Sequence, residues 1–131
     1  MALINKKLIY PELSFKIAGL CFKVHNEIGR FSREKQYGDL LEQKISESNI
    51  SYHRELIIGD SGNIADFVID DKILLEIKAK SFITKDDYYQ VQRYLKELGL
   101  ELGLIINFRQ QYLKPQRILN SDSIRSIRMN S

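Results

Sequence analysis

The sequence predicts an α/β domain in which a central mixed β-sheet is flanked by helices. Three observations carry that expectation. Apolar residues recur at helical spacing early in the chain and again late in it. Between those stretches lie three short strand-like runs separated by dense turn formers. A nearly continuous apolar run, Leu102 to Phe108, follows the last helical pattern, as expected of a strand buried on both faces.

Pro11 suits the first turn of a helix. Leu13, Ile17, Leu20, Val24 and Ile28 then form one apolar stripe, and Gly29 is a C-terminal stop. Ser32 is the expected cap of a second helix, whose apolar face is Tyr37, Leu40, Leu41 and Ile45. Tyr52 to Ile58 reads as a strand, and His53, Arg54 and Glu55 make it polar enough for a sheet edge. Gly59 to Asn63 is a turn, Ile64 to Ile69 a second strand, Asp70-Asp71-Lys72 a tight turn and Ile73 to Ala79 a third strand. Two short connections in succession imply an antiparallel meander. Thr84 caps a third helix ending near Leu98, with Gly99 as its stop and Val91, Leu95 and Leu98 on its buried side. After Pro115 comes a short segment through Ile118 and Leu119. A single domain is expected over residues 1–119, with a flexible, polar and basic tail over 120–131.

At 131 residues the chain can bury a core without disulfides or structural zinc. Its 44% hydrophobic and 28% charged residues exclude a disordered chain. Cys21 is the only cysteine, which excludes an intrachain disulfide and a Cys-rich zinc site and fits a reducing compartment. Twenty Lys and Arg against 17 Asp and Glu permit nucleic-acid binding without arguing for it. No signal-peptide run and no apolar stretch of ~18 residues is present, so no membrane partner is expected and the cytoplasm is the expected location.

The chemistry lies in the second and third strands. Side chains alternate across a strand, so Leu74, Glu76 and Lys78 share one face, and Ile73, Leu75 and Ile77 form an apolar core face. Asp66 falls between Ile64 and Val68 on one face of the preceding strand. Two acids and a lysine in apolar strands are costly unless something answers their charge. A divalent cation does so: carboxylates on neighbouring strands can hold Mg²⁺, which lowers the pKa of a bound water and stabilises a phosphoryl oxygen. Lys78 can then orient the water or neutralise the phosphate. Glu76-Ile77-Lys78 alone reads better as a salt bridge on a solvated sheet face. Asp66 and the order of elements tip the balance.

Asp66, followed after a hairpin by Glu76-Ile77-Lys78, resembles the PD-(D/E)XK nuclease signature, and the element order resembles that superfamily's core. Within it the chain resembles the small GxxExxY family. The stretches involved are Leu8 to Ser14, Val24 to Gly29, Glu34 to Tyr37, Ala65 to Asp70, Leu75 to Lys78 and Leu102 to Phe108. Two departures stand out: Phe31 replaces the glycine that names the motif, and Ala65 replaces the usual proline before the metal-binding Asp. The resemblance implies a Mg²⁺- or Mn²⁺-dependent nuclease acting on DNA, with RNA as the alternative substrate. It implies Asp66, Glu76, the Ile77 carbonyl and Glu34 around the metal, with Lys78 as the catalytic amine. Gln90-x-x-x-Tyr94 resembles the motif that RecB-type nucleases place beside the metal, where it contacts DNA or orients the lysine.

Structural readings stand beside each of these. Glu34 suits a helix N-terminus electrostatically, and Gln90 and Tyr94 suit a helix that flanks a core. Tyr88 and Tyr89 can stack on a base but read better as helix-packing residues, and His25 and His53 read as structural or surface ones. Lys80 and Lys85, with Lys6, Lys7, Arg30, Arg33 and Lys35, can follow a phosphate backbone. Arg117, Arg125 and Arg128 add weaker attraction. The alternative function is a catalytically inactive nuclease-fold module that binds nucleic acid or protein, and after it a purely structural ion network. The minimal chain favours a homodimer or a partner protein that supplies substrate recognition.

Overall fold

The computed structural model describes residues 9–123. Leu8, Lys6, Lys7, Arg125 and Arg128 lie outside the described residues. The elements are α1 (Pro11–Ile28), α2 (Glu34–Glu47), β1 (Tyr52–Ile58), β2 (Asn63–Ile69), β3 (Ile73–Lys78), α3 (Lys85–Leu98), β4 (Leu102–Asn107) and β5 (Gln116–Leu119). Among the described residues no helix is long and apolar enough to cross a membrane.

The strands form one five-stranded sheet in the order β1-β2-β3-β4-β5. β3 and β4 run parallel and the other neighbours antiparallel. Two chemical facts produce this topology. Short turns join β1 to β2 and β2 to β3, which forces antiparallel pairing. In the second turn Asp70 and Asp71 both take positive φ, a conformation that Asp tolerates. β3 reaches β4 only through α3, and a helical crossover returns the next strand in parallel. β4 therefore has partners on both edges and a helical layer on each face. All six of its residues are buried, as its apolar run requires.

α1 and α2 cover one face of the sheet through a large core containing Ile17, Val24, Tyr37, Leu41, Phe67, Leu75, Ile77 and Phe108. α3 covers the other face through a smaller core of Val91, Tyr94 and Leu95 against Val68, Leu74, Ile105 and Ile118. Gly103 lets α3 lie close to β4. A Cβ placed there would lie 2.8 Å from Val91 Cγ1.

The second helix starts one turn signal later than its sequence suggests. Arg33, not Ser32, is the N-cap, and Gln36 Oε1 accepts the Arg33 N–H at 2.9 Å. The Ser32 hydroxyl donates back to the Ile28 carbonyl at 3.2 Å, while the buried Tyr37 hydroxyl ties down the Ser32 backbone. The Tyr37 hydroxyl accepts the Ser32 N–H at 3.2 Å and donates to the Gly29 carbonyl at 2.6 Å. Thr84 caps α3 as read: its side chain accepts the Asp87 N–H while Asp87 Oδ2 accepts the Thr84 N–H. Order continues past Leu119. Asn120 is buried and binds the Leu100 carbonyl through Nδ2 and the Glu101 carbonyl through its N–H. Residues 124–131 lie outside the described residues.

Gly103→Ala is expected to lower stability by about 1–3 kcal/mol, the usual cost of overpacking. Urea denaturation would show it as a lower midpoint at unchanged slope.

Candidate active site

The site begins where β2 and β3 part. Their ladder pairs Ile69 with Ile73, Val68 with Leu74 and Phe67 with Leu75, and then stops. The next facing residues are Asp66 and Glu76. Here side chains take over the role of the backbone. Glu76 Oε2 accepts the Asp66 N–H at 2.7 Å, and Asp66 Oδ2 accepts the Ile77 N–H at 2.7 Å. Meanwhile β3 stays paired with β4 as far as Lys78 and Asn107. On the outer side, Glu55 of β1 faces Asp66 but takes φ +52 and drops out of its own ladder. The strict alternation read from sequence breaks here. Ile64 is exposed, and Ala65 joins Val68 in the smaller core.

The two carboxylates are drawn out of water together. Glu76 is only 3% exposed and Asp66 is half-buried. Burial, and then the neighbouring Asp66 charge, pushes Glu76 up to about 8. Burial also raises Asp66, with the Ile77 N–H and then Lys78 opposing it. Among the described residues, neither acid has a Lys or Arg nitrogen within 4.0 Å. The simple Glu76–Lys78 salt bridge is not formed. Lys78 Nζ instead donates to Gln90 Oε1 at 3.2 Å and lies 3.7 Å from Asp87 Oδ1. Asp87 Oδ2 also accepts from Lys80 Nζ at 2.7 Å.

A cavity of about 280 Å³ opens on the α2 side of the gap, bordered by Glu34, Gly38, Arg54, Glu55, Asp66 and Ile77. Glu34 is raised chiefly by partial desolvation, with Lys78 lowering it and Asp66 raising it. It shares the cavity with Asp66, yet among the described residues no three His, Cys, Asp or Glu side chains close into a ready-made metal cluster. A minimal pair of acids is what the fold brings together.

A family model described as the PD-(D/E)XK nuclease superfamily matches residues 11–118, which spans every element above except the last residue of β5. The chain belongs to the PD-(D/E)XK nuclease superfamily. No curated protein matches it, and no solved structure does. The mixed sheet with flanking helices is the architecture of that superfamily.

The other sequence candidates fall into distinct places on this superfamily scaffold. Gln90 is half-buried and holds Lys78. Tyr94 is 5% exposed and packs in the smaller core, where burial and then Glu76 raise its phenol. Lys80 is engaged by Asp87. Lys85 is exposed at the start of α3. His25 Nε2 lies 2.8 Å from the Gln110 carbonyl and His53 Nε2 3.5 Å from Asp71, both away from the acids. Cys21 is fully buried, which pushes its thiol up to about 12.

Three residues escaped sequence reasoning. Asp87 drew no reading from the sequence, yet it bridges both lysines. Arg54 read as an edge-strand polar residue, yet it borders the cavity. Its guanidinium binds Asp39 at 2.6 Å and Glu42 at 2.8 Å and lies over Gly38, where a Cβ would sit 2.7 Å from Nη2. Asn107 is buried at the end of β4 and ties down the segment after β3, donating to the Lys80 carbonyl at 2.9 Å and accepting the Lys80 N–H at 3.2 Å. A polar residue closing an otherwise apolar run was the available signal for it.

Burial works to raise the Asp87 carboxyl, but Lys80 and the Thr84 N–H and hydroxyl overcome it and hold it at about 2, against an ordinary 3.8. The folded value is the lower one. Its stabilising contribution is therefore complete above pH 3.8 and fades as the pH falls through about 2. Asp87→Asn is expected to lower the thermal midpoint near neutral pH, with the gap to wild type closing toward about pH 2. Melts of both proteins across that range, followed by circular dichroism, test it.

Proposed function

We propose that the chain is a Mg²⁺- or Mn²⁺-dependent nuclease that hydrolyses phosphodiester bonds of DNA, with RNA as the alternative substrate. One observation carries the reading: the buried Glu76 and the half-buried Asp66, which lines a cavity, have no cationic side chain within ion-pair distance among the described residues. Burying like charges unanswered is strongly unfavourable. Hard carboxylate oxygens are the donor set that Mg²⁺ and Mn²⁺ prefer. The residues present therefore fit such an ion. When bound, the metal would supply an acidified water and polarise the scissile phosphate.

Asp66 and Glu76 would hold it. Each uses one oxygen for a backbone N–H, which fixes its orientation before any cation arrives. The Ile77 carbonyl leaves the strand on the same side as its N–H, toward the gap, and is a further donor. Glu34 reaches the cavity from α2 and would act on the hydration shell. Lys78, steadied by Gln90 and Asp87, would donate to the attacking water or a phosphate oxygen. Tyr94 keeps α3 seated against Glu76. Lys80 and Lys85 would attract the nucleic-acid backbone.

Glu34 and Tyr37 support placement in the GxxExxY family, with Tyr37 bonding the loop that carries Phe31. The lone buried cysteine supports a cytoplasmic location. A homodimer or a partner protein would supply further substrate recognition.

Labelled DNA should be cut with Mg²⁺ or Mn²⁺ and left intact with EDTA. Lys78→Ala should lower the rate about a hundredfold or more, the order seen when a transition-state charge donor is removed. Glu76→Gln keeps an acceptor for the Asp66 N–H while removing the repulsion, so it should abolish cleavage and raise the melting temperature. Asp66→Ala instead orphans the Ile77 N–H, at a cost of about 1–3 kcal/mol. Cleavage that survives EDTA or Glu76→Gln would falsify the reading. Salt-sensitive binding without cleavage would favour the inactive nucleic-acid-binding alternative.

A further inference from the structure

A second charged cluster lies outside the acids and lysines. Arg30 and Phe31 belong to the connection between α1 and α2, and Arg109 follows β4. Arg30 Nε donates to the Arg109 carbonyl at 2.9 Å, and Arg109 Nε donates to the Arg30 carbonyl at 2.8 Å. This reciprocal pair clamps together two loops that are distant in sequence. The Phe31 ring lies against both guanidiniums, with its centroid 4.9 Å from Arg30 Cζ and 5.7 Å from Arg109 Cζ. Its side chain is otherwise open to solvent, 77% exposed.

Two features of this cluster are costly without a ligand. A phenylalanine left in water forgoes the gain that burying its ring would bring. Two guanidiniums against one ring repel each other, and among the described residues no carboxylate lies within ion-pair distance of either. The contrast within the molecule is direct. Arg54 is answered by Asp39 and Glu42, and Lys78 and Lys80 by Asp87. Each arginine spends its Nε on a main-chain carbonyl, which leaves its terminal Nη donors for an external acceptor.

The loop is also held in shape. Tyr37 binds Gly29 and Ser32 on either side of Phe31 and stacks on Phe108 with centroids 4.2 Å apart. Its position is equally telling. Glu34, three residues after Phe31, borders the carboxylate cavity. Asn107, two residues before Arg109, pairs with Lys78 in the sheet. Chain connectivity alone keeps Phe31 within about 11 Å of Glu34, Cα to Cα.

We infer that Arg30, Phe31 and Arg109 form a stacking platform at the rim of the active site. One unpaired base lies on Phe31 and the adjoining phosphates meet the two arginines, so the substrate strand enters as single-stranded DNA. The inference rests on the nuclease reading for the direction of the strand, but its binding chemistry is separate. Base faces inside a duplex are covered by their neighbours, whereas an unpaired base offers its face to an aromatic ring. Phosphates on both sides of that base supply the anions the arginines lack.

The test is binding in EDTA, where no cleavage intervenes, read by fluorescence anisotropy with labelled oligothymidylate and with a duplex. Phe31→Ala should weaken oligothymidylate binding by about 5- to 100-fold, the range for one lost stack, and leave duplex binding unchanged. Phe31→Trp should restore it. Arg30→Gln should lower the slope of log affinity against log salt by about 0.7, one phosphate contact on a single strand. The Phe31 variants decide the matter alone should Arg30→Gln fail to fold. Unchanged oligothymidylate binding in Phe31→Ala, or equal losses on single strand and duplex, overturns the platform. Phe31-dependent binding to oligouridylate that exceeds that to oligothymidylate overturns the assignment to DNA. Cleavage that persists while Phe31→Ala binds normally removes the platform and leaves the nuclease reading. Phe31-dependent binding without any cleavage does the reverse.

Discussion

Beyond Phe67 and Leu75 the two central antiparallel strands separate, and backbone N–H groups that a ladder would satisfy turn to carboxylate oxygens instead. A buried N–H without an acceptor costs on the order of 1–3 kcal/mol. Asp66 and Glu76 thus have a structural function before any chemistry: they let a sheet open without leaving its edge unpaired. The opening creates the cavity against α2, and the intact β3–β4 ladder keeps the other side of β3 rigid. Any cation that binds there meets acids whose orientation the backbone has already set.

The distribution of charge follows from that opening. If Lys78 leaned back onto Glu76, the acids would be neutralised and the cavity would have nothing to attract. Asp87, anchored by Thr84 at the start of α3, draws both Lys78 and Lys80 the other way. The result, among the described residues, is a spatial division: an acid pair without a cation at ion-pair distance, lysines shared with one aspartate, and an arginine pair without an anion at that distance. On the proposed reading, a phosphodiester and a divalent ion together would supply both charges. This complementarity gives the proposals their common physical basis.

Much of this was legible in the chain. The stripe from Leu13 to Ile28, the Thr84 cap and the unbroken apolar run of β4 each depend on residues close in sequence, where helical and strand periods act directly. Asp66 and Glu76 announced themselves because acids in apolar strands are costly. The cap of α2 was misplaced because Ser32 is a good cap locally, while in the fold its hydroxyl donates back to the Ile28 carbonyl and its N–H to the buried Tyr37 hydroxyl. Strict alternation failed at Ile64 and Ala65 because the distortion at Glu55 and Asp66 arises only once three strands meet.

The sequence by itself determined the elements, their order and the two acids with their lysine, since each is a matter of local period or of a residue type in an unfavourable place. Only the tertiary structure decided which charge answers which. Lys78 faces Asp87 and Gln90, Arg54 is sequestered by α2, and Arg30 meets Arg109 across a sheet end. Those pairings depend on how the helices cross the sheet, and Coulomb energies change steeply over the few ångströms that such packing sets.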